Sequence, residues 1–131
     1  MKDLRQILYT ALVAKLVELT GKQVFTKMPK ESVFPYIFLS DFYQKESGPK
    51  DSYQYDVELL IQIRHIGLTS LKPLLDDMDN VMSMITNGSP FALTGGYKIK
   101  QCTLISSNDT EILTDTGTEN IGLIRINFLI I

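Results

Sequence analysis

The chain has 131 residues, of which 44% are hydrophobic and 21% charged, a size and balance that lets one domain bury a core without disulfide or metal staples and sets aside the disordered and small cross-linked classes. A formal net charge of -2 sets aside bulk attraction to nucleic acid or to an anionic membrane. The single cysteine, Cys102, leaves no internal disulfide and fits a reducing compartment.

The first sixteen residues carry charges at Lys2, Asp3, Arg5 and Lys15, so they lack the uninterrupted apolar core of a secretory signal, and a cytoplasmic location is expected. From Asp3 to Leu19 the apolar residues Leu4, Ile7, Leu8, Ala11, Leu12, Leu16 and Leu19 recur at three- and four-residue steps. They predict an amphipathic first helix, with Gly21 as its left-handed stop. Val24 to Thr26 reads as a short extended piece, and Pro29 fixes the loop after it. Pro35 has no ladder donor and belongs near a strand start or on an edge, which places an edge or second strand at Tyr36 to Phe42. Gln44 to Ser52, rich in charge with Gly48 and Pro49, reads as a mobile hairpin loop.

The most regular stretch follows. In Tyr53 to Arg64, Tyr53, Tyr55, Val57, Leu59, Ile61 and Ile63 fall on one face of an extended strand, with Gln54, Asp56, Glu58, Gln62 and Arg64 on the other. Only Leu60 breaks the alternation, so this is a central strand with one buried face, an antiparallel neighbour of the strand before it, ended by Gly67. Thr69 or Ser70 then caps a second helix with Pro73 in its first turn. Its expected apolar stripe is Leu71, Leu74, Leu75, Met78, Val81, Met82 and Ile85, closed by Asn87 and Gly88 and laid on the central strand. Asp76, Asp77 and Asp79 are placed off that stripe as a solvated, acidic face.

Gly95 and Gly96 turn the chain into a further extended segment, Tyr97 to Ser106. Ser107 to Asn120 is polar apart from Ile112 and Leu113 and reads as a long loop or loose hairpin. Ile121 to Ile131 is the last strand, apolar on both faces, interrupted by Arg125 and Asn127 and too short to cross a bilayer as a helix. The expectation is one α+β domain over residues 1 to 131, with a mostly antiparallel sheet of four or five strands and two helices packed on one face. Leu60, Leu104, Leu123, Leu129 and Ile131 would lie on the opposite face and mark an association surface unless the long loop covers them.

Chemistry is sparse. His65, the only histidine, has no ligand or nucleophile pattern around it and reads as a structural histidine at a strand end, and Cys102 reads as a half-buried small side chain. The acidic trio lacks the spacing and glutamate of a calcium loop, and the Gly95-Gly96 pair lacks the helix that a phosphate loop needs. No catalytic, metal or cofactor-binding residue is assigned.

The residues Phe34-Pro35-Tyr36-Ile37, the polar loop from Gln44 to Ser52, the strand from Val57 to Ile66, Gly67 and the helix from Leu71 to Ile85 resemble, in that order, the small tail-completion or tail-terminator (head-tail joining) proteins of long-tailed bacteriophages and prophages. The likeness extends over residues 3 to 130, with its specific part in residues 33 to 86. Ser107 to Asn120 departs from the charged or polar hairpin of that family. The resemblance implies a non-enzymatic virion protein without cofactors, made in the bacterial cytoplasm and ending in the virion tail. It would cap the tail tube as a hexameric homo-oligomeric ring, stop tube polymerisation and join the tail to the head connector. Its partners would be further copies, the tail tube protein and the connector protein, with DNA passing through without specific binding and no membrane involved. The expected contacts are Tyr36 and Phe38 on the edge strand and Lys45, Glu46, Lys50 and Asp51 in the loop. Two other readings stand beside it: another minor tail or head-tail connector component, and a small α+β ligand-binding domain or enzyme using a pocket between sheet and helices with His65.

Overall fold

The computed structural model describes residues 2–31, 33–47, 54–85 and 89–131, with the side chain of Ser47 left out. Two helices and five strands follow in the order α1 (Arg5–Thr20), β1 (Gln23–Phe25), β2 (Tyr36–Ser47), β3 (Gln54–Ile66), α2 (Lys72–Met82), β4 (Ile99–Thr114) and β5 (Gly117–Ile130). The strands form one sheet in the order β1-β2-β3-β5-β4. Every pairing is antiparallel except the short parallel contact of β1 with β2. The protein is therefore an α+β sandwich of a mostly antiparallel sheet and two helices, as its sequence pattern predicts.

Strand β3 is the centre. Its burial alternates without a break, with Tyr55, Val57, Leu59, Ile61, Ile63 and His65 all inward, because a period-two apolar pattern puts every second side chain on one face. Ile124, Ile126, Phe128 and Ile130 of β5 continue that face, opposite β3 residues of the same orientation. Both helices cover it: α1 contributes Leu8, Leu12 and Leu16, with Leu4 at its N-cap position, and α2 contributes Leu74, Met78 and Val81, all in one apolar cluster with the strands. Each fully buried leucine of α1 stabilises the fold by about 1.5–3 kcal/mol relative to exposure. Helix α1 stops at Gly21, whose φ of 67° is left-handed and whose N–H reaches the Val17 carbonyl at 2.8 Å. Gly122 of β5 lies where α2 comes closest to the sheet. A Cβ there would stand 2.8 Å from Met78 Sδ and 3.2 Å from Leu74 Cδ1, so the absence of a side chain sets the helix-to-sheet distance.

Several boundaries differ from the sequence expectation. Gln44 to Ser47 belong to β2, paired with Val57, Asp56, Tyr55 and Gln54, so polar composition there marks a solvated strand end rather than a loop. Residues 48–53, with Lys50, Asp51 and Tyr53, lie outside the described residues, as do Asn87 and Gly88. Of the two expectations for Ser107 to Asn120, the hairpin holds and the loop does not: β4 and β5 stay paired from Ile99↔Ile130 to Thr114↔Gly117, joined by a two-residue turn at Asp115 and Thr116. Helix α2 is rotated from the predicted stripe, with Leu71 and Leu75 41% and 46% exposed while Asp77 is buried. Its N-cap position is Leu71, and Ser70 assists from one residue before, its Oγ accepting from the Lys72 N–H at 3.2 Å.

A bulge in β2 between Ser40 and Tyr43 holds Asp41 at a left-handed φ of 52° and turns Phe42 toward α1. There Phe42 meets Tyr9 edge to face at 5.6 Å, with the Arg5 guanidinium 4.9 Å above its ring.

Candidate assembly surfaces

The groups with chemical potential are assembled in ways that serve the core. Cys102 is 1% exposed, deeper than the half-buried site expected, and burial pushes its thiol up to about 12. A thiol held that high is protonated at neutral pH and is a poor nucleophile. His65 Nε2 lies 2.7 Å from Asp77 Oδ2, both buried, and Lys22 Nζ stands 3.7 Å from the other carboxylate oxygen. This tie clamps the end of β3 to α2 and to the segment between α1 and β1. Among the described residues His65 has no hydrogen bond to a hydroxyl or thiol. Cys102 pairs with Phe128, and His65 with Asn120, eight positions along β5 from one another, roughly 27 Å at the rise of a strand.

Asp77 is the residue sequence reasoning misplaced. An aspartate in an acidic trio looks solvated, and the one available signal was that the lone histidine ends a strand whose inward face is the one α2 covers. Asp76, by contrast, is exposed and pairs with Lys72 at 2.8 Å, an i,i+4 contact that raises the lysine's pKa through the hydrogen bond first and charge second. Among the described residues no group of three or more histidine, cysteine, aspartate or glutamate side chains is placed to hold a metal ion, and no helix is long and apolar enough to cross a membrane. An open depression of 680 Å³ runs along α1, lined by Asp3, Arg5, Gln6, Tyr9, Thr10, Val13 and Thr26; His65 is not part of it. Burial raises the Tyr9 phenol above its ordinary value, partly offset by Arg5.

What the molecule exposes is sheet. The face away from the helices is a polar grid: Arg125 lies 3.3 Å from Asp41 and 3.5 Å from Glu58, and Arg64 lies 2.7 Å from Glu119. The Asn127 amide donates to Asp56 at 3.3 Å. Leu60, Leu123 and Leu129 sit half-buried between these pairs, and Ile131 is exposed at the end. The expected continuous apolar patch on this face is thus broken up by ion pairs. Leu104 is not there at all, because it pairs with Ile126 and so lies on the helix-side face, beyond the reach of the helices.

Of the residues expected to make contacts, Tyr36 is 2% exposed, packed against Phe25 and Phe34 at ring distances of 5.6 and 5.2 Å. Phe38 is half-buried and pairs with Phe25, so β1 covers this part of the β2 edge. Lys45 and Glu46 are exposed on β2 where β1 no longer covers it, and Lys50 and Asp51 lie outside the described residues. The structure therefore does not bring Tyr36 and Lys45 together on one exposed surface. Sequence reasoning placed the start of β4 in its extended segment but not the strand's exposed far half: from Leu104 to Leu113 every residue is exposed, including Leu104, Ile105, Ile112 and Leu113, the last 83% exposed.

These features define a two-layer α+β fold whose polar groups hold its core and whose open sheet edges face solvent. No family model and no curated protein matches the chain. Among solved structures it is similar to a chain of the virion of a native gene transfer agent particle, with a TM-score of 0.75 at 11% identity, covering 98% of each chain. At that identity the likeness is one of fold, over the full length of both chains.

Proposed function

We propose that the protein is a structural component of a phage or phage-like virion, and within that class the subunit that completes the tail: a ring, six copies expected, that caps the tail tube, stops its polymerisation and joins it to the head connector. The observation that carries this reading is the end-to-end fold likeness to a chain of a gene transfer agent virion. The resemblance of residues 33 to 86 to tail-completion proteins points the same way from sequence. The reading is non-enzymatic, and it suits a chain whose histidine and cysteine are both buried in structural roles. Lys45 and Glu46 at the end of β2, with Lys50 and Asp51 beyond it, are the proposed contacts to the tube or connector. DNA would pass through the ring unbound, in keeping with the net charge of -2, since each neutralised phosphate would add affinity that impedes passage.

The test is deletion of the gene in a host that produces the particles, with tail lengths and head attachment scored by electron microscopy. Overlong, unattached tubes are expected. Tails of normal length that fail to attach would move the protein to a head-tail connector role. Normal, attached tails would overturn a tail role altogether.

A further inference from the structure

The two ends of the sheet are unlike and complementary. At one end β4 presents its outer edge, with no backbone partner among the described residues from Leu104 to Thr114. At the other end β1 does the same over Gln23–Phe25. An open edge is a row of unpaired N–H and C=O groups, a template for another strand. Proteins blunt such edges with charge, bulges or short strands. Here β1 is short, while β4 is long and carries Leu104, Ile105, Ile112 and Leu113 to solvent.

Register and direction fit the edges to one another. Gln23 pairs with Tyr36, Tyr36 with Arg64, Arg64 with Ile121 and Ile121 with Thr110, so β1 and the exposed half of β4 lie on the same transverse rows of the sheet. Since β1 runs parallel to β2, and three antiparallel steps separate β2 from β4, β1 and β4 run in opposite directions. A second copy set beside the first in the same orientation therefore brings its β1 antiparallel to β4, the more favourable ladder. Charge and apolar surface match as well. From Leu104 to Thr118 the chain has Asp109, Glu111 and Asp115 and no basic residue, whereas Lys27 and Lys30, against Glu31 alone, follow β1, Lys22 before it being tied to Asp77. Met28 and Val33, 45% and 54% exposed, lie in the segment that joins β1 to β2 and supply apolar surface at that end of the sheet.

We infer that the outer edge of β4 docks on the β1 edge of a second copy of this chain, extending the sheet from subunit to subunit in a head-to-tail contact. A heterologous contact of this kind closes into a ring when its rotation permits. The inference deepens the proposed ring by naming the surfaces that join its subunits. It rests on that reading for closure but not for the contact itself.

The test is carbodiimide cross-linking, which joins carboxylates to amines, on an equal mixture of ¹⁴N- and ¹⁵N-labelled protein and in parallel on purified particles. Mixed-isotope peptides linking residues 104–118 to residues 22–31 are expected, and Asp109→Lys with Glu111→Lys should abolish them. Adding Lys27→Glu with Lys30→Glu should restore the oligomer of the double lysine variant, as judged by sedimentation. Links from 104–118 to a different virion protein, or subunit links that avoid these segments, would overturn the inference. So would a chain that remains monomeric in solution and shows no such link in particles. The two readings fail separately: cross-links together with normal tails in the deletion host overturn the tail role and leave the contact standing. Defective tails without these cross-links do the reverse.

Discussion

Strands β3 and β4 lie in the same sheet, each antiparallel to β5, and live in opposite environments. Every second side chain of β3 is buried beneath α1 and α2, whereas β4 loses its cover after Cys102 and carries exposed side chains on both faces to its end. Both are paired with β5 along nearly their whole length, β3 without a break in register and β4 with shifts at Ile99/Gln101 and Leu104/Ser106. The difference is what lies over them, so β3 should set the stability of the fold and the far half of β4 should set what the fold binds.

The largest effect should come from emptying the centre. Phe128→Ala, in a residue that is fully buried between the sheet and Phe91, should cost about 3–5 kcal/mol by denaturant unfolding, since it removes a large apolar side chain and leaves a cavity. Next is the clamp at the end of β3. Asp77→Ala removes the carboxylate that faces His65 at 2.7 Å and Lys22 at 3.7 Å, and should cost about 1.5–3 kcal/mol, the scale of a hydrogen bond to a charged group. Asp76→Ala, one residue away, breaks only an exposed pair and should change stability far less than Asp77→Ala. Equal losses at the two aspartates would mean that the clamp has no stabilising role.

That contrast also shows what the sequence made legible. Period-two alternation identified β3, and three- and four-residue spacing with Gly21 identified α1, because in both the burial pattern repeats over many residues. Helix α2 was found but misrotated: with Leu71, Leu74 and Leu75 all apolar near its start, hydrophobicity alone could not tell that Leu74 faces the sheet while its neighbours face water. Asp77 was misread because its partners, His65 and Lys22, are remote in sequence. The far half of β4 reads as either a long loop or a loose hairpin for a different reason. Its order comes from pairing with β5 and from a tight turn, and a strand exposed on both faces has no periodicity to reveal it. The contact residues divided similarly: Tyr36 looked like an edge aromatic, because the extended piece at Val24 to Thr26 was legible but its pairing with that edge, over three residues, was not.

Cys102 marks the boundary within β4, and pH can read it. The unfolded thiol ionises near its ordinary value of 9.0, while the folded one, held up by burial, resists until about 12. Its contribution to stability is thus fully present below pH 9 and is lost as pH rises toward the folded value. Tyr9 shifts in the same direction, so the effect of Cys102 is isolated by comparing wild type with Cys102→Ala across that window. The wild type should lose stability more steeply. Thiol reagents at neutral pH should leave native Cys102 unmodified and label a Thr110→Cys variant at once; rapid labelling of Cys102 would mean that β4 opens along its whole length.

The smallest effect on stability is expected where the apolar surface is most exposed. Ile112→Ser with Leu113→Ser changes two side chains that are 44% and 83% exposed and lie outside the apolar core cluster, so the unfolding free energy should move by no more than about 0.5 kcal/mol. A residue that contributes so little to its own fold has its apolar surface available for another use. If β4 is an interface, the same pair of substitutions should weaken self-association while the far-ultraviolet circular dichroism and melting temperature stay unchanged. A loss of stability larger than that of Asp77→Ala would show instead that the hairpin end is part of the folding core, and the division between β3 and β4 would fail at its sharpest point.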